Sequence, residues 1–158
     1  MNIFMREAIK EAIKGFSNGH GGPFGAVVVK QNRFGEKEII ARGHNMVLAE
    51  RNPLRHGEMV AIANATKALN SFDLTGCDLY TTGEPCPMCL AAIMWSNINN
   101  VFYGCTIEDN EKIGFRDNRF NKLLNINRKN FQNMYQIDRD ICLMLFEDYN
   151  KSKNKKIY

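Results

Sequence analysis

The sequence predicts an α/β fold, a three-layer α-β-α sandwich around a mixed central sheet. Three observations carry that expectation. Short β-branched runs alternate with stretches of helical period. The first two runs flank a turn at residues 31–36 that holds Asn32 and Gly35, as in an antiparallel hairpin. The later runs are separated by helices, and such crossovers lay strands parallel with helices on both faces.

In order, Ile3 to Phe16 places Ile3, Met5, Ala8, Ile9, Ala12, Ile13 and Phe16 near helical spacing, with Lys and Glu between. The run Gly19-His20-Gly21-Gly22-Pro23 stops that helix. Phe24 to Lys30 reads as a buried strand and Lys37 to Gly43 as its hairpin partner. His44 to Arg55 is expected to be a loop, and a second helix starts at about Gly57. Cys77 to Thr82 is a third strand, Pro87 to Ser96 a third helix and Asn100 to Gly104 a fourth strand. Residues 105 to 133 are polar and Asn-rich, which predicts loops and a short helix. Asp138 to about Lys153 is helical, with Ile141, Leu145 and Phe146 facing inward.

The 158 residues, 44% of them hydrophobic, fit a single domain, 1–158, able to bury a core without disulfides. The formal charge of +4, from 21 basic and 17 acidic residues, allows an anionic partner without requiring one. Met1 to Arg6 leads straight into a charged amphipathic pattern rather than a secretory leader, and no apolar run nears the roughly 18 residues of a membrane span. The expectation is a cytoplasmic protein. Five cysteines, two of them in a C-x-x-C pair, then point to metal or redox chemistry rather than a disulfide framework.

Two fragments carry the chemistry: His56-Gly57-Glu58, opening the second helix, and Pro85-Cys86-Pro87-Met88-Cys89, opening the third. Two thiolates on one helical turn can chelate one ion, and the helix N-terminus favours their charge. An imidazole from another helix start makes three protein ligands, which leaves one tetrahedral position open, as in catalytic Zn²⁺ sites. Water held there ionises near neutrality. Glu58, two residues from the imidazole, stands where a general acid/base is needed. A structural zinc site is the blander reading, but Cys77, Cys105 and Cys142 lack a partner motif at matching spacing.

Together these fragments form the H-x-E…P-C-x-x-C pattern of zinc deaminases. With the element order, the chain resembles the cytidine deaminase superfamily over nearly its whole length. Within it, GGPFGAVVVK (21–30), EPCPMCLAAIMW (84–95), VFYG (101–104), the G-F-x-D stretch ending at Asp117 and the terminal N-K-K-x-Tyr are similar to the bacterial guanine deaminases. That resemblance implies a cytidine deaminase-like fold in which His56, Cys86 and Cys89 hold zinc and Glu58 shuttles protons. It implies that Asn45 and Asp117 hydrogen-bond a purine, that Phe24 lines the pocket face and that Tyr158 closes it. It also implies a homodimer, with a C-terminal segment of about 138–158 exchanged between subunits so that Tyr158 comes from the partner. Gly57 departs from the usual Ala of the motif, and Asn118 to Tyr135 finds no match. An acidic helper in the last helix is therefore unassigned, with Glu147 and Asp148 as candidates.

The implied activity is hydrolysis of guanine to xanthine and ammonia. The alternatives are a tRNA-specific adenosine deaminase, a guanosine or other nucleobase deaminase, and a zinc-stabilised binding domain without catalysis. The C-terminal lysines could meet RNA phosphates, but they lack interleaved aromatic platforms for stacking. An intact Glu58 is of no use to a binding module. Taken alone, Asn45 reads as a turn residue, Asp117 as a solvated acid and Tyr158 as a fraying terminus. His20 and His44 read as turn or surface residues, and Met88, Leu90 and Met94 as packing. Trp95 reads as core or dimer interface, although it or Phe115 could serve as an aromatic wall.

Overall fold

The structure, a computed structural model, describes residues 1–158. Helix α1 (Ile3–Ser17) begins where the Asn2 side chain accepts the N–H groups of Phe4 and Met5. It buries Met5, Ala8, Ala12 and Phe16 against the sheet. Its alanines and Gly25 allow a close approach: a Cβ at Gly25 would collide with the Ala8 carbonyl oxygen.

The sheet has five strands in the order β2-β1-β3-β4-β5. Strands β1 (Gly25–Gln31) and β2 (Lys37–His44) pair antiparallel as the hairpin predicts, with a bulge between Val28 and Val29. β3 (Cys77–Gly83) lies antiparallel to β1, and β4 (Asn100–Cys105) parallel to β3. β3 sits at the centre and is buried along its whole length, which is why it reads as an unbroken run rather than an alternating one. Side-chain alternation divides the core between the two faces. Val27, Val29 and Tyr80 pack with residues of α1 and of the last helix. Ala26, Val28 and Leu79 pack with α3 (Gly57–Leu69) and with Ile93 of α4 (Pro87–Trp95).

Several elements depart from expectation. The loop after β2 contains a short helix, α2 (Val47–Glu50). His44 is the last residue of β2 and is buried, which corrects the turn-or-surface reading. Its ring lies 2.9 Å from a Glu11 carboxylate oxygen and 3.0 Å from the His20 ring, so both nitrogens are satisfied. Residues 105 to 133 hold two short helices, α5 (Ile107–Lys112) and α6 (Asp117–Leu123), and a 3₁₀ turn at Arg128–Asn130. They are followed by a fifth strand that the sequence does not announce, β5 (Met134–Gln136), parallel to β4. The last helix, α7 (Arg139–Lys151), buries Cys142, Leu145, Phe146 and Tyr149, while Ile141 is half-buried. Trp95 is 85% exposed, so it is not core.

One ion pair ties α5 to α7. Asp109 is 1% exposed, caps α5 through the Thr106 N–H, and takes two hydrogen bonds of 2.9 Å from Arg139. Burial works against the Asp109 carboxylate, but the Arg139 guanidinium and the Thr106 N–H outweigh it and hold its pKa below the ordinary carboxylate range. Removing the guanidinium with Arg139→Met should lower stability at neutral pH, because the buried Asp109 carboxylate loses its charged partner. Because the folded pKa lies below the unfolded one, this contribution is complete above about pH 4 and is lost as the pH falls further. Urea unfolding at pH 7 and pH 3 checks both points: the difference between wild type and variant should shrink at the lower pH.

Candidate active site

Two helix starts meet at one end of the sheet. The β2 strand delivers Asn45 and, through α2, His56 as the N-cap of α3. The carboxyl end of β3 delivers Cys86 as the N-cap of α4, with Pro87 in the first turn and Cys89 one turn on. In an open α/β sheet such carboxyl ends are where ligands bind.

His56 Nδ1 lies 3.5 Å from Cys86 Sγ and 3.7 Å from Cys89 Sγ. Ideal tetrahedral zinc, with Zn–S near 2.3 Å and Zn–N near 2.0–2.1 Å, puts nitrogen and sulfur ligands about 3.6 Å apart. All three donor atoms fall within 4.8 Å of one another. This is therefore a set of zinc dimensions, with Nδ1 as the donating nitrogen and no fourth Cys or His beside it. The electrostatics also call for a cation. A hydrogen bond from Cys89 and the neighbouring His56 lower the Cys86 thiol, so it is held as a thiolate. Burial opposes charge on His56, but the Cys86 thiolate overrides it and raises the imidazole to about 9.

Glu58 is buried beside them, and burial, with the Cys86 charge, raises it to about 7. A carboxyl near neutrality can both accept and return a proton. It lines a small inner cavity of about 10 Å³ together with His56, Cys86, Asn45, Phe24 and Asp117. That is room for about one water molecule. The inner space adjoins a larger cavity of about 740 Å³, which shares His56, Cys86, Phe115 and Asp117 with it and is walled by Val47, Met88, Phe120 and Tyr158.

The remaining expected residues also converge here. Asn45 is 1% exposed; its N–H donates to the Phe24 carbonyl at 2.9 Å and its Oδ1 accepts the Val47 N–H at 3.1 Å. Phe24 meets Phe115 edge-on at 4.8 Å, and Phe115 meets Tyr158 in the same way at 5.4 Å. The Tyr158 hydroxyl accepts the Gly22 N–H at 2.8 Å, so the chain terminus returns over its own cavity. Burial raises its phenol well above the usual range, which keeps it neutral. Asp117, raised to about 6 by burial and the Cys86 charge, takes a hydrogen bond from Asn110 at 3.0 Å. Glu147 and Asp148 are exposed on α7 and line neither cavity, and Trp95 is equally remote.

Sequence reasoning missed three residues. Arg128, inside the unmatched segment, donates to the Pro85 carbonyl at 2.7 Å and pairs with Glu84 at 3.1 Å, clamping the loop before Cys86. Glu84 in turn accepts the Ile107 N–H and lines the inner cavity. Asn110 is 1% exposed, lines the inner cavity, and its Oδ1 has no hydrogen-bond partner in the protein. No local pattern marks Arg128 or Asn110, because each acts on residues distant in sequence or across a turn. Gly57 also has a structural reason: a Cβ there would lie 2.8 Å from the Phe24 carbonyl oxygen.

Fold and site together define a zinc-dependent deaminase. The family model for the cytidine and deoxycytidylate deaminase zinc-binding region matches residues 1–105, and the chain belongs to that family. Among its relatives, the guanine deaminase of Bacillus subtilis (strain 168) is 38% identical over 156 residues, which cover 98% of this chain and 97% of that protein. A tRNA-specific adenosine deaminase of the same organism is 44% identical over 102 residues, 65% of this chain and 60% of that one. The X-ray structure of the Bacillus subtilis guanine deaminase matches with a TM-score of 0.72 at 38% identity, covering 100% and 99% of the two chains. A guanine deaminase from Nitrosomonas europaea matches with a TM-score of 0.77 at 26% identity, covering 94% and 84%.

If the three donors hold the metal, Cys89→Ser should drop bound zinc from about one per chain to well below half. Metal analysis after gel filtration reads this directly, and a Cys77→Ser control should keep its zinc.

Proposed function

We propose that the chain hydrolyses guanine to xanthine and ammonia. One observation carries the reading: Asp117 and the terminal Tyr158 line the same cavity as His56 and Cys86, and His56 stands at zinc distances from Cys86 and Cys89. A free base can be enclosed beneath such a cover, whereas a base still attached to RNA needs an open path for its backbone. The full-length match to a guanine deaminase supports the same choice.

His56, Cys86 and Cys89 would hold zinc, which would supply Lewis acidity for the hydrolytic attack. Glu58 takes a proton from the attacking water and carries it to the ring nitrogen beside the amino-bearing carbon. The water oxygen bonds to that carbon. Glu58 then takes the remaining proton from the added hydroxyl and delivers it to the amino group; the C–N bond breaks as the carbonyl forms, and ammonia leaves with xanthine as the second product. Phe24 and Phe115 hold the flat ring, and the apolar walls keep bulk water away. The Asn45 carbonyl is occupied by Val47, so its amide end donates to an acceptor on the base. Asp117 accepts from N–H groups on the opposite edge, and Tyr158 covers the ring.

The same observations support a cytoplasmic homodimer. All five cysteines are free thiols, Cys86 and Cys89 of the metal site among them. Exposed Met94 and Trp95 form an apolar face on α4 suited to a second copy. Exchange of residues 138–158 between subunits would preserve the packing of α7 and Tyr158 while moving it to the neighbour.

Glu58→Gln should keep its zinc and lose at least 10³-fold in kcat, read as ammonia and xanthine release. Ammonia from an anticodon stem-loop but not from guanine would overturn the substrate assignment in favour of tRNA adenosine deamination. In a separate test, Trp95→Asp should convert a dimer to a monomer by light scattering; a wild-type monomer would remove the assembly from the proposal.

A further inference from the structure

Asn110 stands behind Asp117, outside the residues that either motif names. Its Nδ2 donates to Asp117 Oδ2 at 3.0 Å and to the Glu84 main-chain carbonyl at 3.2 Å, while its Oδ1 is buried without a partner. The orientation of the amide is determined by these neighbours. Turning it over would set its carbonyl against a carboxylate and a second carbonyl, three acceptors with no donor among them. The unpaired Oδ1 thus follows from pointing both donors at the site. Room for it comes from Gly83, where a Cβ would lie 2.9 Å from Oδ1 and 3.0 Å from the Phe24 ring.

We infer that Asn110 is a positioning residue that sets the purine-binding geometry of Asp117. This deepens the guanine reading and rests on it. By occupying one carboxylate oxygen, Asn110 leaves Asp117 Oδ1 to accept from the substrate and holds the carboxylate plane in a fixed attitude. The second bond, to Glu84, references that plane to the strand-to-helix connection leading to Cys86. Asp117 is therefore aligned with the metal ligands although it starts a different short helix, α6. The lone buried acceptor is the cost of this alignment; a purely structural asparagine would be expected to satisfy both ends.

The test is steady-state kinetics on guanine with zinc content and thermal midpoint measured alongside. Asn110→Asp keeps the side-chain volume but replaces the donor with an acceptor. It should raise KM at least tenfold at pH 7.5 while kcat stays within about threefold and zinc stays near one per chain. Asn110→Ser, which retains a shorter donor and adds no charge, should raise KM less and keeps the test valid if the Asp variant fails to fold. KM within twofold of wild type in a folded variant, on an active wild-type background, overturns the role of Asn110 alone. So does a fall in kcat, zinc and thermal midpoint together with unchanged KM, the pattern of mere structural damage. A wild-type protein inert toward guanine overturns the function, and this assignment with it.

Discussion

Everything in the site depends on two helix N-termini aimed at one point. Each brings unpaired backbone N–H groups and the positive end of a helix dipole, and each carries electron-rich ligands at its first positions: His56 on α3, Cys86 and Cys89 on α4. An imidazole nitrogen stands 3.5 and 3.7 Å from two sulfurs, the spacing of ligands that share one zinc ion. With one, they are a three-ligand cradle. The rest of the fold keeps these two starts in register. The β1–β2 hairpin leads towards one, the central strand β3 leads into the other, and α1 and α7 close the opposite face of the sheet.

A second consequence is how deeply the acid/base chemistry is buried. Glu58 lies in the first turn of the helix that His56 caps, so one backbone trajectory places both the imidazole and the carboxyl. Burial raises its carboxyl towards neutrality and excludes competing water. The aromatic set Phe24, Phe115 and Tyr158 extends the dry surface outward, each ring meeting the next edge-on. Arg128, through Glu84 and the Pro85 carbonyl, then braces the loop before Cys86 from a segment with no role of its own in coordination.

The metal cradle and Glu58 were legible in the sequence because their geometry is local. A C-x-x-C pair on one helical turn, and a His and Glu two residues apart, need no distant information to be placed. The hairpin, β3 and the main helices were legible for the same reason, through period and turn residues. What escaped notice depends on contacts distant in the chain. β5 is three residues long and exists only because β4 offers an edge. His44 looks like a turn residue until Glu11 and His20 are seen to satisfy its ring. Arg128 sits in an Asn-rich stretch and acquires meaning only from Pro85 and Glu84. Asp117 and Tyr158 had physical grounds only in their resemblance to a family, and the structure places both on the cavity.

The most direct measurement of the central claim is zinc K-edge X-ray absorption on the purified protein. Two sulfur scatterers near 2.3 Å, one imidazole nitrogen near 2.0–2.1 Å and one light atom that changes when a purine is added would match an open three-ligand centre. A third sulfur or a second imidazole in the shell would contradict it, because the position needed for water would then be filled by the protein itself.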